Sequence, residues 1–367
     1  MATELRELTA DQMRIAAAGV IPLPIEQAAP WEAFEQTQGR RLWGRFAWEK
    51  DDKDQAIIAL YEYSLRGVKY LWAKHGPVWL KEQSPDSEAA LRADLVRMVR
   101  KCDRSIAFIR MHAFFQAPDL HEPLQFITYD RTAIIDISGG TEDSILATMT
   151  KDGRRAVRRA KKKMAGGGAR VVEETGLTRA AFREYYEVMK ETARRDGFHP
   201  HPPQVYWSML DSMPESSRLF GVRLPDDTLV CWDLVLVHDQ QAVAYYGAST
   251  DQARTVLGPD ALDFDVAVRL AKEGVKGLDL MGVYSPRVPE LYSVGRYKRR
   301  WCQSFTDVDG AWDVPVIPGA LNALRAALTT KHAVENAVRR ARATMAWDID
   351  RHAPVQRARE GASSCQN

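Results

Sequence analysis

Arg218-Leu-Phe-Gly-Val-Arg-Leu224, Leu229-Val-Cys-Trp-Asp-Leu-Val-Leu-Val237 and Gln241-Ala-Val-Ala-Tyr-Tyr-Gly247 are three apolar, β-branched and aromatic runs of strand length. The links between them, Pro225-Asp-Asp227 and His238-Asp-Gln240, carry turn chemistry. Aspartate side chains bond their own backbone two residues on, and proline presets φ. Three strands on short turns predict an antiparallel meander. Downstream, Pro259 suits the first position of a helix, where a missing N–H costs nothing. The helical pattern runs through Leu262–Glu273 and stops at Gly274, and Leu278–Val283 then reads as a buried strand. Upstream, Thr178–Arg195 has a helical pattern with Phe182, Tyr185 or Tyr186, and Met189 inward, followed by a Pro-flanked loop, Gly197–Pro203.

A similar order occurs earlier. Trp31–Trp48 reads as helical and aromatic, Gln55–Tyr63 and Gly67–Trp72 as a hairpin, Ser84–Lys101 as a helix, and Ser105–Phe114 and Thr132–Ile137 as strands. The Ser84–Lys101 helix places Asp86 and Glu88 early and Arg97, Arg100 and Lys101 late, in accord with its dipole. Residues 1–30 read as a lead-in, and the Ala-rich, basic tail from Leu321 to Arg342 as a helix. Helix, antiparallel strands, helix and strand thus occur over residues 31–137 and again over 178–283. That is the order of an N-acyltransferase domain of the GNAT type, present twice. The duplication is one of element order, with no residue-level repeat. The expected class is α/β (α+β).

At 367 residues the chain has room for two ordinary domains. An apolar fraction of 45% and a charged fraction of 27% are those of a globular protein with a full core. The net charge of +2 leaves any polyanion binding to local clusters. Four scattered cysteines without a C-x-x-C pair fit a reducing compartment, and argue against a disulfide framework or a zinc finger. No apolar leader or membrane-length apolar run occurs, so a cytoplasmic protein is expected, as a monomer.

Enzymes of this fold that use acetyl-CoA wrap its pyrophosphate with R/Q-x-x-G-x-G/A at a helix start. The nearest match, Arg41-Leu-Trp-Gly44-Arg-Phe46, fails at its last position, and Leu257-Gly-Pro-Asp260 lacks the glycine pattern. No CoA is expected. Lys151–Lys163 holds eight basic residues in thirteen positions. Arg154, Arg158 and Lys162 recur at i, i+4 and i+8, with Arg155 and Arg159 beside them, so a helix would gather them on one face. Polyanion binding would relieve their mutual repulsion; a solvated face is the alternative. His199-Pro-His201 near Asp196 lacks a third ligand, and no metal is expected. Tyr245-Tyr-Gly-Ala-Ser249 ends a strand with small residues that let a ligand approach the backbone, with core packing as the alternative for the tyrosines. In Leu291-Tyr-Ser-Val-Gly-Arg-Tyr-Lys-Arg-Arg-Trp301 a single lysine, Lys298, follows an aromatic residue just after a buried strand. It reads as an oxyanion or phosphate partner, or as part of a solvated basic turn.

Several of these stretches together resemble the FemABX aminoacyltransferases. The matching pieces are Phe34–Thr37, Gly76–Val78, Arg154–Ala160 with its lysines, and Thr192-Ala-Arg-Arg-Asp-Gly-Phe198. They continue in the family's order with Tyr246–Ser249, Leu278–Val283 and Tyr297-Lys298, over roughly residues 31–312. The chain departs at Tyr297, where the family has Phe. It also departs at Ser293-Val294, in place of Gly-Leu, and at Cys302, in place of Gly. The coiled-coil arm of some members is missing.

The resemblance implies two GNAT-like domains, residues 1–143 plus 313–367 and residues 144–312, the first completed by the C-terminal segment. It implies transfer of an amino acid from aminoacyl-tRNA to an amine of a peptide, by default a peptidoglycan precursor, nucleotide-linked or lipid-linked. Tyr297 and Lys298 would act at the reacting centre, with Lys298 stabilising the oxyanion. Arg154, Arg155, Arg158, Arg159 and Lys162 would hold the tRNA, and Arg45, Arg195 and Tyr246 would touch the acceptor. Asp279 is a candidate base with a structural alternative, and proton transfer within the substrate is equally open. A small peptide of secondary metabolism is the alternative acceptor. From another class, a non-catalytic tRNA- or RNA-binding protein remains.

Overall fold

Apolar alternation and side-chain caps together set the element boundaries. In chain order come β1 (Thr3–Glu7), α1 (Ala10–Ala17), α2 (Ala29–Thr37), β2 (Arg41–Lys50), β3 (Lys53–Leu65), β4 (Val68–Trp72) and β5 (Val78–Trp79). Next are α3 (Pro85–Cys102), β6 (Ile106–Ala113), β7 (Arg131–Asp136), α4 (Glu142–Thr148), α5 (Lys151–Gly167), β8 (Arg170–Glu173) and α6 (Phe182–Asp196). The chain continues through α7 (Pro203–Ser212), β9 (Ser217–Arg223), β10 (Leu229–His238), β11 (Gln241–Ser249), α8 (Ala253–Val256) and α9 (Gly258–Lys272). It ends with β12 (Gly277–Gly282), α10 (Tyr292–Lys298), β13 (Thr306–Asp307) and β14 (Gly310–Pro315). The computed structural model describes residues 3–124 and 128–328. The described residues up to Ile317 form one compact unit; beyond it, residues 320–328 are helical. The rest of the expected tail helix lies outside the described residues.

Among the described residues the strands make two sheets of seven. The first runs β1-β2-β3-β4-β6-β14, with β5 on β3, and the second runs β13-β7-β12-β11-β10-β9-β8. The meander of β9, β10 and β11 and the β3–β4 hairpin are as the sequence predicts, the hairpin turning on Arg66 and Gly67 at positive φ. Each sheet packs its own apolar core, one around Leu60, Leu91 and Ile109, the other around Phe220, Val235 and Phe264. The expected α/β (α+β) class therefore holds: a mixed α/β protein with two sheets.

Three expectations are corrected. The aromatic stretch 31–48 is not one helix: α2 stops at Thr37, Gly39 turns the chain at φ +71°, and β2 follows. Residues 44–48 of β2 are all buried, so the period-2 signature of a strand is missing there. Residues 1–30 are no mere lead-in, because β1 edges the first sheet and α1 buries Met13 and Ala17. Finally, β7, which the sequence assigns to the first repeat, pairs with β12 and β13 in the second sheet.

The place beside β6 goes instead to β14, from late in the chain. Arg110 on β6 and Asp313 on β14 fasten that pairing. Both are buried; Arg110 Nε donates to Asp313 Oδ1 at 2.7 Å and Nη2 to Oδ2 at 3.1 Å. Removing one partner of such a pair leaves an uncompensated charge in the interior. Asp313→Ala is expected to lower the unfolding free energy in urea by about 3–5 kcal/mol. By contrast, Lys190→Ala, which breaks the exposed Glu187 pair, should cost less than about 1 kcal/mol.

Candidate active site

Parallel strands β11 and β12 pair only over Gln241–Val243 and Gly277–Asp279. Beyond that they part, while β11 continues along β10 as far as Ser249. On the other side, the register of β12 against β7 slips between Asp279 and Gly282, and Met281 sits there at φ +66°. Such a bulge re-aims the backbone. Asp279 fastens it: its Oδ1 accepts from the Met281 N–H at 2.6 Å and from the Thr132 hydroxyl.

Parting strands leave backbone groups that need other partners. On β11, side chains of α6 supply them. The Thr192 hydroxyl donates to the Ser249 carbonyl at 2.9 Å and accepts from the Ser249 N–H at 2.9 Å, and Arg195 Nη1 donates to the same carbonyl at 2.6 Å. On β12, Lys298 supplies them. Its Nζ donates to the Gly282 carbonyl at 3.0 Å and the Met281 carbonyl at 3.3 Å. An ammonium has three donors, so one is left for another acceptor.

The opening is a cavity of about 950 Å³ whose walls include Arg195, Asp233, Ser249, Asp263, Met281, Ser293, Val294, Tyr297 and Lys298. Lys298 is not on a basic turn but closes the short helix α10. Burial pulls its ammonium down to about 8, with Asp279 and Asp263 pulling the other way. Tyr297 donates its hydroxyl to Asp263 Oδ2 at 2.5 Å. Asp233, on β10, hydrogen-bonds Asp263, on α9. Burial raises both; Asp263 pushes Asp233 further up, whereas the Tyr297 hydroxyl, Asp233 and Lys298 hold Asp263 down.

Of the residues singled out in the sequence, Lys298, Tyr297 and Arg195 meet at this cavity. The others lie elsewhere. Arg45 is buried in the first sheet with its guanidinium on Glu32 at 2.8 Å, so it is committed to that pair. Tyr246 packs edge-on against Tyr206 with ring centroids 4.7 Å apart, and against His201, while its neighbour Tyr245 faces the cavity. Asp279 turns to the opposite side of β12, toward Glu26, His75 and Tyr129. Its two donors give it a structural task at the bulge.

Helix α5 packs Ala156, Val157, Ala160 and Met164 inward and leaves Arg155, Arg158, Arg159 and Lys162 exposed, with no ion-pair partner among the described residues. Arg154 departs from the expected basic face, since its guanidinium donates to the Met149 carbonyl at 2.6 Å. The helix start is tied to the segment after Lys298: the Thr150 hydroxyl donates to the Arg300 carbonyl at 3.0 Å, and Gly153 lies against that same carbonyl, where a methyl group would overlap it. The basic face and the cavity are thus parts of one packed unit.

Neither helix start that would serve a pyrophosphate fits one. Arg41–Phe46 lies within β2. Helix α9 opens with Pro259, which has no N–H, and Asp260, whose charge is turned to Arg300; Gly258 is packed against Cys231 Sγ. Helix α3 opens with Pro85 and acidic Asp86 and Glu88. Carboxylates in the first turn repel the anion that free N–H groups would attract.

Two site residues escaped the sequence reading, Asp233 and Asp263. Each is an acid set among apolar neighbours, Cys231-Trp-Asp-Leu-Val235 on a strand and Leu262-Asp-Phe264 on a buried helix face. A carboxyl in such a place must be paired, which is the signal that could have found them.

Residues 151–299 match the acetyltransferase (GNAT) domain family. No curated protein matches the chain by sequence. Among solved structures, FemX superposes with a TM-score of 0.68 at 16% identity, over 88% of this chain and 99% of FemX. A tandem GNAT protein from the clavulanic acid biosynthesis pathway gives 0.50 at 12% identity, over 86% and 99%. A domain described as the C-terminal part of a lysylphosphatidylglycerol synthetase from Agrobacterium fabrum gives 0.51 at 11%, over 87% and 97%. The fold is that of a tandem GNAT protein. Within that class the chain is built like FemX, and the resemblance drawn from its sequence holds in the fold.

Lys298 offers a direct check of the site's electrostatics. In protein labelled with [ε-¹³C]lysine, its resonance is expected to titrate near pH 8, below the ordinary lysine range. Asp263→Asn removes a charge that favours the ammonium, and should move that titration lower still.

Proposed function

We propose that the cavity between β11 and β12 is the acyl-transfer centre of a tRNA-dependent aminoacyltransferase. The observation that carries this reading is Lys298, a cation pinned on the Met281 and Gly282 carbonyls with a donor to spare in a walled cavity. The amine of an acceptor attacks the ester carbonyl of aminoacyl-tRNA, and negative charge gathers on the carbonyl oxygen. A donor fixed before the reaction stabilises that charge without reorganising. Tyr297, held by Asp263, forms the adjoining wall.

Support for a tRNA donor comes from α5. Four basic side chains with no ion-pair partner among the described residues, Arg155, Arg158, Arg159 and Lys162, face outward on a helix whose first turn packs on Arg300, two residues beyond Lys298. Phosphates of an acceptor arm lying along that face would lead its aminoacylated end toward the cavity. The reading leaves out CoA, in keeping with the proline and carboxylates at both helix starts, and calls for no metal. The chain is taken to work as a cytoplasmic monomer; among the described residues no helix is long and apolar enough to cross a membrane.

For the acceptor we carry the peptide amine of a peptidoglycan precursor, as in the FemABX enzymes that the sequence resembles, with Arg195 as its contact in the cavity. Ser293 and Val294, the positions at which the chain leaves that family's pattern, stand in the cavity wall. They are where a small secondary-metabolite peptide would be accommodated instead.

The test is single-turnover transfer from a pool of charged tRNAs to candidate peptides, followed by mass. Wild type is expected to lengthen an acceptor by one residue, and Lys298→Ala to do so about 100–1,000 times more slowly with unchanged tRNA affinity. Binding of tRNA without transfer would favour a non-catalytic RNA-binding protein. Changing Arg155, Arg158, Arg159 and Lys162 together to Ala should weaken tRNA binding and flatten its salt dependence by roughly 0.9 in log–log slope per lost phosphate contact. An unchanged slope would make the helix face a solvated surface only.

A further inference from the structure

The transfer reaction needs a proton acceptor, because the attacking amine arrives as an ammonium at neutral pH. Asp279 is spent on the bulge. The cavity nevertheless holds two carboxyls that neither the sequence motifs nor the oxyanion argument uses. Asp233 on β10 and Asp263 on α9 both line it and hydrogen-bond each other. Two carboxyl groups bond directly only when one of them carries a proton, so the pair holds a single proton and a single negative charge.

The surroundings sort the two oxygens. Asp263 also accepts from the Tyr297 hydroxyl at 2.5 Å and feels the Lys298 ammonium, which favours charge on Asp263 and the proton on Asp233. The other ionisable groups facing the pair are Cys231 on β10 and Asp260 on α9, and Asp260 is turned to Arg300. Gly247 on β11 makes room: a methyl carbon there would stand 2.5 Å from Asp233 Oδ1.

We infer that Asp233 and Asp263 act together as the base that takes the proton from the attacking ammonium. This rests on the acyl-transfer reading of the cavity. The ammonium gives one proton to the pair, which becomes neutral. The freed lone pair forms the C–N bond, and the carbonyl electrons move to the oxygen held by Lys298. When the tetrahedral adduct collapses, the C–O bond to the ribose breaks. The ribose oxygen leaves with that electron pair and takes the second proton from the new N–H₂⁺. The pair then returns its proton to solvent, so amide, free hydroxyl and one proton balance ammonium and ester. Burial makes the Asp263 carboxylate a stronger base than an exposed one, closer to what neutral pH requires.

Two nucleophiles separate this role from a structural one. A peptide amine enters as an ammonium, whereas hydroxylamine is neutral at pH 7 and needs no base before attack. In single turnover at pH 7, Asp233→Asn and Asp263→Asn should each slow transfer to the peptide amine by about 100-fold or more. Transfer to hydroxylamine, corrected for its uncatalysed reaction, should fall far less, and in Asp263→Asn only by as much as the lowered titration of Lys298 removes its ammonium at that pH. Equal slowing with both nucleophiles would assign the pair a structural role, and no slowing with either would leave it idle; each result overturns the inference. If wild type itself transfers to neither nucleophile, the acyl-transfer reading fails, and this inference with it.

Discussion

The separation of β11 from β12 is the constraint from which the site is built. The strands pair for three residues and then diverge, one held to β10 and the other kinked at the Asp279–Gly282 bulge. Unpaired backbone on either side has to be satisfied in the interior. Thr192 and Arg195 do this for Ser249, and Lys298 does it for Met281 and Gly282. The wedge between the strands is thereby kept open, and two of the groups that keep it open, Arg195 and Lys298, are charged. A cation is fixed at the edge of a cavity as a by-product of meeting backbone valence.

Placing that cation beside two acids raises an electrostatic question. Lys298 and Tyr297 come from α10, Asp263 from α9 and Asp233 from β10, so three elements must meet for the charges to balance. One shared proton leaves the acid pair with a single negative charge, which the ammonium can offset. The cost of burying these groups is met by their mutual hydrogen bonds, and the site remains polar without a stranded charge. The same segment carries the link to α5 through the Arg300 carbonyl, so packing at Gly153 ties the basic face to the cavity.

Much of this was legible in the sequence, for identifiable reasons. The β9–β11 meander announced itself through turn residues, and α9 through Pro259 and Gly274. Lys298, Tyr297 and Arg195 were marked by motif and do meet. The fully buried β2 hid its strand period, and the exchange of β7 for β14 is a pairing choice over some two hundred residues of separation that no local pattern encodes. Arg45 lies away from the cavity, buried in the first sheet with its guanidinium on Glu32. Arg154 left the basic face for the Met149 carbonyl, a contact that helix periodicity alone does not foresee. Asp233 and Asp263 stayed hidden because they lie on different elements, and only folding brings them together.

The central claim is that the wedge between β11 and β12 receives the aminoacyl end of the donor. A crystal structure with a non-hydrolysable donor mimic, an adenosine bearing an aminoacyl amide at the 3′ position, tests it most directly. The account predicts the amide oxygen within hydrogen-bonding distance of Lys298 Nζ, between Ser249 and Met281. An analogue seated elsewhere, such as the groove between α6 and α7 beside Trp207, with Lys298 untouched, would contradict it.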